Sequence, residues 1–272
     1  TTSSSTTPTA FTSWLNITHP SEVSVDAIGY EGTYSYQTSS PYALTSVGSA
    51  SEIASSSTVK LTYNSSGSLT KSVITTGSQT QTYDSFQTAN SYLNWGLKTG
   101  DSNDWSLGAD PLASGLQWRY NSFAIWTDPD SGSGKYGAIS GGSKTSGASI
   151  PTTGTYTFTG VGTGFHVDSS NDIHFAQSDI SATANFASRS VSVTASNTGK
   201  QQYLTSTGNF SSSYVSDANL NYTGTLSYSA ATNVLSGTFT TTGGHTGSAI
   251  GRFYGPEGNE LGGAFNLTGG GE

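Results

Sequence analysis

Residues 251–265, with the sequence GRFYGPEGNELGGAF, carry the clearest fold signal in this chain of 272 residues. Alternating apolar segments flank a centre that is rich in Gly, Pro and Asn. Pro256 fixes a turn after Gly255, and Gly258–Asn259 offers the positive-φ positions of a tight hairpin loop. Glu260 either faces solvent or accepts hydrogen bonds from backbone amides. This closing motif therefore predicts a β-hairpin whose residues serve the scaffold and not catalysis.

Period-two alternation extends upstream over residues 150–272. The alternating segments are 155–159, 180–186, 190–194, 221–228, 234–240, 249–254 and 261–267. Turn residues separate them at short spacing, which predicts about eight antiparallel strands in a barrel or sandwich. Isolated glycines within the strands fit the bends of a closed barrel, as at Gly224, Gly237 and Gly251. A barrel of about eight strands is filled by its own side chains, so it needs no ligand inside.

The N-terminal half is β-rich but less regular. Between residues 11 and 89, short runs rich in Thr and Tyr alternate, which predicts half-buried antiparallel strands. Ser-Ser-Gly at 65–67 has the composition of a hairpin turn, and the Gly/Ser-rich stretch 128–149, interrupted by residues 135–139, predicts loops. No apolar stripe with helical spacing lasts three turns, so we expect an all-β protein. Residues 1–10, a Ser/Thr tract with one Pro, predict a flexible leader.

Four of the five tryptophans lie between residues 92 and 126, among further aromatic residues. Aromatic side chains on loops offer a large contact area and form the apolar walls that a flat ligand such as haem requires. The candidate ligand-binding residues of this segment are Trp95, Trp105, Trp118 and Tyr120. The alternative is structural, with Trp126 and some of the others packing between the N-terminal region and the barrel.

The four histidines offer a second kind of candidate site. His166 and His174 flank Asp168 and Asp172 across a segment with hairpin character. If the two strands pair, both imidazoles lie near the loop and are candidates to bind a metal or haem iron. The alternative is that they are exposed strand residues. His245 lies in a glycine-rich loop, from which its imidazole is a further candidate for ligand contact.

Composition excludes several classes of protein. Because the sequence has no Cys, it forms no disulfides, Cys-ligated zinc sites or iron–sulfur clusters. A net charge of -8 argues against binding to nucleic acid, which requires clustered Lys and Arg. No apolar run approaches the ~20 residues that span a bilayer. Sparse charge and the absence of Cys and Met favour a location outside the bacterial cytoplasm.

The sequence also argues against an enzyme. It contains no Gly-x-Ser-x-Gly elbow, no His-Glu-x-x-His motif and no phosphate-binding Gly-x-x-x-x-Gly-Lys-Ser/Thr loop. Residues 132–137 match Gly-x-Gly-x-x-Gly, but no helix follows and no βαβ unit surrounds them, so we interpret them as a loop. The Asp residues at 128–130 and 168–172 lack the spacing of an EF-hand.

The closing motif resembles the last hairpin of the β-barrel domain in transferrin-binding protein B-like surface lipoproteins. Residues 150–160, IPTTGTYTFTG, are similar to the opening strand of that domain, with Tyr156 and Phe158 where the family has Ala and Tyr. Residues 182–186 match an Ala-x-Phe strand of the family. Further upstream, 123–126 and 136–137 occupy the positions of its Gly-x-Trp and Phe/Tyr-Gly signals.

The resemblance implies a β-rich handle domain over residues 11–149, followed by an eight-stranded antiparallel barrel over 150–272. It implies a non-enzymatic binding protein, on the outer leaflet of the outer membrane or secreted. Such a protein captures haem or iron from a host protein and delivers it to a TonB-dependent outer-membrane transporter. The chain has room for one lobe, which favours a small ligand such as haem, and no cofactor is required.

Two further expectations follow from this comparison. Family members are anchored through a lipidated N-terminal Cys, so this Cys-free chain has either lost that residue or is secreted without a lipid. The second expectation is an alternative function: a structural or adhesive surface protein that assembles into a layer or fibre. Low charge favours this alternative because it weakens the repulsion between copies.

Overall fold

A computed structural model describes residues 13–39, 43–89, 93–99, 101–112, 118–204, 209–211 and 213–269. Over these residues the chain forms twenty β-strands and three short 3₁₀ helices, at Trp14–Asn16, Gly147–Ser149 and Ala218–Leu220. The prediction of an all-β fold is confirmed. The predicted flexible leader, residues 1–10, lies outside the described residues. No helix in the described part of the chain is long and apolar enough to cross a membrane.

The first eleven strands form one barrel-like sheet. They are β1 (Ser21–Tyr36), β2 (Leu44–Val47), β3 (Ser51–Glu52), β4 (Thr58–Tyr63), β5 (Leu69–Thr75), β6 (Thr80–Tyr83), β7 (Ser85–Thr88), β8 (Leu93–Lys98), β9 (Asp101–Ala109), β10 (Asn121–Asp130) and β11 (Ser133–Gly142). Nine strands follow the order β6-β5-β4-β1-β11-β10-β9-β8-β7, while β2 and β3 pair with β1. The hairpin turn predicted at 65–67 is confirmed, because β4 pairs with β5.

The remaining nine strands form a second barrel-like sheet. They are β12 (Thr155–Val167), β13 (Ile173–Asn185), β14 (Ser190–Leu204), β15 (Asn209–Phe210), β16 (Val215–Ser216), β17 (Tyr222–Ser227), β18 (Leu235–Thr241), β19 (Thr246–Tyr254) and β20 (Glu260–Thr268). Seven follow the order β12-β13-β14-β17-β18-β19-β20, and the short β15 and β16 pair with β14.

The architecture differs from the expected handle and eight-stranded barrel. The N-terminal region is itself a barrel-like sheet, and the main path of the second sheet has seven strands. β12 and β20 are the two ends of that path, and no pairing joins them among the residues described. The second sheet therefore has an opening between its first and last strands.

Small residues shape the interior of the second sheet. Its core combines Ala182, Ala184 and Ala195 with larger side chains such as Phe253, which is fully buried. Two glycines occupy neighbouring positions in paired strands because the backbones approach closely. A Cβ atom would lie 2.2 Å from the Thr238 carbonyl oxygen if added at Gly224, and 2.0 Å from that of Thr225 if added at Gly237.

The core of the first sheet is built around Trp126, which is fully buried against Ile53, Ile74, Tyr83 and Ile139. It therefore packs within the first sheet and not between the two sheets. Its indole covers Gly137, where an added Cβ would lie 2.5 Å from the ring. The loops predicted for 128–149 are consequently wrong over much of that stretch, which forms the β10–β11 hairpin. Glycine there makes room for aromatic rings instead of supplying flexibility.

The closing motif forms the β19–β20 hairpin, as predicted. Gly258 has a positive φ of 73°, but the other left-handed residue is Gly255, at 87°, and not Asn259. The Glu260 carboxylate accepts hydrogen bonds from the backbone N–H groups of Arg119 (2.6 Å), Tyr120 (3.0 Å) and Asn121 (2.9 Å). Of the two orientations open to Glu260, the structure adopts the one that bonds backbone amides. This carboxylate joins the end of the second sheet to the start of β10.

Candidate functional site

A cavity of about 1510 Å³ lies between the two sheets. Residues of β1, β10 and β11 line it on one side, and residues of β12, β13 and β20 line it on the other. Its volume exceeds the roughly 300–1,000 Å³ of most small-molecule sites, so it can hold a large ligand.

The cavity is continuous with the interior of the second sheet. Tyr222 and Phe239, from the core of that sheet, line the same space as Tyr34 and Tyr136 of the first sheet. The opening between β12 and β20 connects the two parts. The expectation that side chains fill the barrel is therefore wrong. Small interior residues of the second sheet, such as Ala182, contribute to the cavity lining.

Aromatic side chains from both sheets form one wall. Trp105 of β9 meets Phe165 of β12 in an edge-on contact, with ring centroids 5.3 Å apart. Trp118 packs on Phe123, with centroids 5.4 Å apart, and both line the cavity. These contacts hold the rings in place, so the wall is ordered before any ligand arrives.

Two of the aromatic candidates lie elsewhere. Trp95 supports the wall from behind, with its ring centroid 5.0 Å from that of Trp105, but it is not among the described lining residues. Tyr120 is also outside the lining, and its ring covers Gly255, where an added Cβ would lie 2.8 Å away. The structure thus places Trp105 and Trp118 at the cavity, Trp95 behind it, and Tyr120 against the closing motif.

Three histidines meet at one end of the cavity. His166 of β12 lies directly opposite His174 of β13, which confirms the predicted hairpin, and their ring centroids are 5.7 Å apart. His245, from the β18–β19 turn, approaches His166 edge-on at 5.6 Å. His166 and His245 line the cavity, while His174 is buried beside it. The alternative that His174 is an exposed strand residue is therefore wrong.

Hydrogen bonds fix two of these imidazoles. His174 Nε2 lies 3.0 Å from Asp168 Oδ2, and His245 Nδ1 lies 3.3 Å from Thr241 Oγ1. Partial burial would raise the pKa of the Asp168 carboxyl, but hydrogen bonds from His174 and two backbone N–H groups outweigh that effect and lower it. His174 Nδ1 is buried without a hydrogen-bond partner among the residues described.

The histidine cluster is not a preformed metal centre. Within the described ranges, no group of three or more His, Asp and Glu side chains is arranged to hold a metal ion. Metal binding by His166 and His174 stays a prediction. What the geometry establishes is a compact set of imidazoles at the cavity wall, one of them oriented by a carboxylate, as is common behind histidine ligands.

Sequence reasoning missed several lining residues. Phe165 and the tyrosines Tyr34, Tyr136 and Tyr222 belong to strands, and their alternation indicates burial without indicating what they face. Only the long-range placement of the two sheets brings them together. Phe165 could have been selected as a candidate because it directly precedes His166. Its position in the hairpin does not, however, predict that its ring contacts Trp105.

Comparison with known proteins gave matches only among solved structures. No family model matches the chain, and no curated protein does. A tryptophan-to-alanine mutant of transferrin-binding protein B from Haemophilus parasuis Hp5 matches with a TM-score of 0.37 and 11% identity, over 90% of this chain and 73% of that one. An intact Ap-TbpB, with N and C lobes, matches with a TM-score of 0.36 and 10% identity, over 90% of this chain and 74% of that one.

A double mutant of the same protein from the same Haemophilus parasuis strain matches with a TM-score of 0.33 and 11% identity, over 90% of this chain and 73% of that one. All three are structures of transferrin-binding protein B.

Proposed function

We propose that this protein is a non-enzymatic binding protein of the bacterial surface or its surroundings. The cavity between the two sheets would hold its ligand. The observation that carries this proposal is a space of about 1510 Å³ that aromatic side chains of both sheets line. A cavity of this kind favours a large, flat and mainly apolar ligand.

Haem is the candidate ligand that we favour. The Trp105 and Trp118 rings supply walls for a planar macrocycle, and His166 and His245 present imidazoles to the same cavity. Imidazole is a common axial ligand of haem iron. His174, whose buried Nδ1 has no hydrogen-bond partner in the described part of the chain, is a third candidate ligand within the same cluster.

The biological setting is part of the proposal. By its resemblance to transferrin-binding protein B-like lipoproteins, the protein would act at the outer leaflet of the outer membrane or in the extracellular space. It would pass its ligand to a TonB-dependent outer-membrane transporter. A lipid anchor would hold the membrane-bound form, and a host protein is the alternative source of the nutrient.

Titration of the purified protein with haemin tests the proposal. We expect a sharpened and shifted Soret band that saturates at one equivalent. Trp105→Ala should weaken binding by roughly tenfold, which corresponds to about 1.4 kcal/mol. Trp95→Ala should weaken it less, because Trp95 only supports Trp105. Leu15→Ala is the control, since Leu15 is exposed and does not line the cavity.

The histidine variants separate iron ligation from simple enclosure. His166→Ala and His245→Ala should each alter the position of the Soret band if their imidazoles ligate iron, and His174→Ala tests the third ring. An unchanged Soret spectrum on adding haemin to the wild-type protein would overturn the haem assignment. Combined with self-association in size-exclusion chromatography, that result would favour the alternative of a surface layer or fibre.

A further inference from the structure

The charged residues of the cavity wall constrain which ligands it can bind. Among the described residues that line the cavity there is no Lys and no Arg. The charged side chains in that lining are the two carboxylates of Asp168 and Glu260. An anionic group of a ligand would therefore leave water without gaining a Lys or Arg partner, and burial of an unpaired charge is costly.

Both carboxylates are already occupied by hydrogen bonds. Glu260 accepts three from the backbone N–H groups of residues 119–121. Asp168 is bonded to His174 and to the backbone N–H groups of Ser170 and Asp172. These hydrogen bonds hold both carboxylates in the scaffold.

Besides the imidazoles of His166 and His245, the lining offers uncharged polar groups. Burial raises the pKa of the Tyr34, Tyr136 and Tyr222 phenols, so these hydroxyls stay protonated at neutral pH. Phenols, threonine hydroxyls and asparagine amides can donate hydrogen bonds to carbonyl, ether or ring-nitrogen acceptors. At longer range the net charge of -8 also opposes the approach of anions.

We propose that this cavity selects large ligands whose buried part carries no anionic group and presents apolar surface and neutral hydrogen-bond acceptors. The inference rests on the proposed function, because it concerns the ligand of the same cavity. For haem it has a specific consequence. The ring can be enclosed, but both propionates must lie at the solvent-exposed mouth.

Two fluorescent probes test the proposal directly. N-phenyl-1-naphthylamine is neutral, and 1-anilinonaphthalene-8-sulfonate has the same ring system with one added sulfonate. We expect the neutral probe to bind roughly tenfold more tightly. The preference should persist at ~0.5 M salt, where long-range repulsion by the net charge is screened and the local effect of the wall remains.

A lysine placed in the wall should reverse the preference. Gly164 lines the cavity in β12, and a Cβ atom added there meets no atom within 4 Å. Gly164→Lys should tighten binding of the sulfonate probe by roughly tenfold and change binding of the neutral probe little. Gly164→Gln is the matched control, because it adds a neutral side chain of similar length. Any effect of the added volume is common to both variants, so the sulfonate affinity of Gly164→Lys is compared with that of Gly164→Gln.

The outcomes separate this inference from the proposed function. Equal or tighter binding of the sulfonate probe by the wild type would overturn it, as would equal affinity of Gly164→Lys and Gly164→Gln for that probe. Haemin forms the second arm. If haemin fails to bind while the neutral probe is preferred, the haem assignment is wrong and the ligand class stands. If haemin binds while the sulfonate probe binds as tightly as the neutral probe, haem binding stands and the ligand class is wrong.

Discussion

The two sheets reach a barrel-like shape by different routes. In the second sheet, consecutive strands pair through hairpins, so most contacts are local in sequence. In the first sheet, β1 occupies the middle of the order and pairs with β11, joining residues 27–35 to residues 133–141. One sheet therefore depends on short-range turns, and the other depends on a pairing that closes a long loop.

The interiors of the two sheets also differ. Large, fully buried side chains such as Trp126 and Tyr83 fill the first sheet. The second combines fully buried rings such as Phe253 with small residues such as Ala182, which lines the cavity. The comparison teaches that the first sheet contributes a filled core beside the candidate site, whereas part of the second sheet's interior lines the cavity itself.

The largest expected effect on stability comes from removing a large side chain from the core of the first sheet. Trp126→Ala removes a fully buried indole and should lower the free energy of unfolding by about 3–5 kcal/mol. Urea denaturation followed by circular dichroism measures it. Trp118→Ala is the control, because Trp118 is only partly buried and lines the cavity. An equal loss in both variants would contradict the distinction between core and cavity wall.

The next effect concerns the connection between the sheets. Glu260→Gln replaces a carboxylate that accepts three N–H hydrogen bonds with an amide whose NH₂ group faces donors. Because hydrogen bonds to charged groups contribute about 1.5–3 kcal/mol, we expect a loss of that order in the free energy of unfolding. Glu257→Gln, at an exposed position of the same turn, should have almost no effect. Similar losses from both variants would show that Glu260 does not join the sheets.

A smaller effect on stability distinguishes a glycine beside an aromatic ring from a glycine in open space. Gly137→Ala places a Cβ atom 2.5 Å from the Trp126 ring and should destabilise the protein by about 1–3 kcal/mol. Gly164→Ala meets open space in the second sheet and should be neutral or slightly stabilising. Thermal denaturation of the two variants measures the difference. A loss of stability at Gly164 as large as that at Gly137 would contradict the account of the cavity.

The smallest effect is a dependence on pH at the histidine end. Because hydrogen bonding lowers the pKa of Asp168 in the folded protein, its contribution is present above the ordinary Asp pKa of about 3.9. It is lost as pH falls through the lower folded value. The difference in melting temperature between wild type and Asp168→Asn should therefore be greatest near neutral pH and shrink in acid. A difference that grows in acid would contradict the assignment.

Local patterns predicted the second sheet well. The alternation after residue 150, the closing hairpin and the facing of His166 and His174 all depend on short sequence separations. The sequence did not predict the pairing of β1 with β11, because no local pattern encodes a register over that distance. It also misassigned residues 133–137 as a loop, since glycine is the usual signal of a loop and here it accommodates aromatic rings.

The candidate site was predictable only in part. Trp105, Trp118, His166 and His245 were selected by residue type, and the structure places all four at one cavity. The cavity itself was not predicted, because an expected eight-stranded barrel would be filled by side chains. Its existence depends on the missing pairing between β12 and β20 and on the approach of the first sheet, and neither is a property of any single segment.

The central claim is that both sheets line one binding cavity, and filling it from either side tests that claim most directly. Ala138→Phe adds volume from β11 of the first sheet, and Val193→Phe adds it from β14 of the second. Each should weaken binding of N-phenyl-1-naphthylamine by roughly tenfold, while circular dichroism shows that the fold is retained. Loss of binding in one variant and unchanged affinity in the other, with both folded, would contradict a shared cavity.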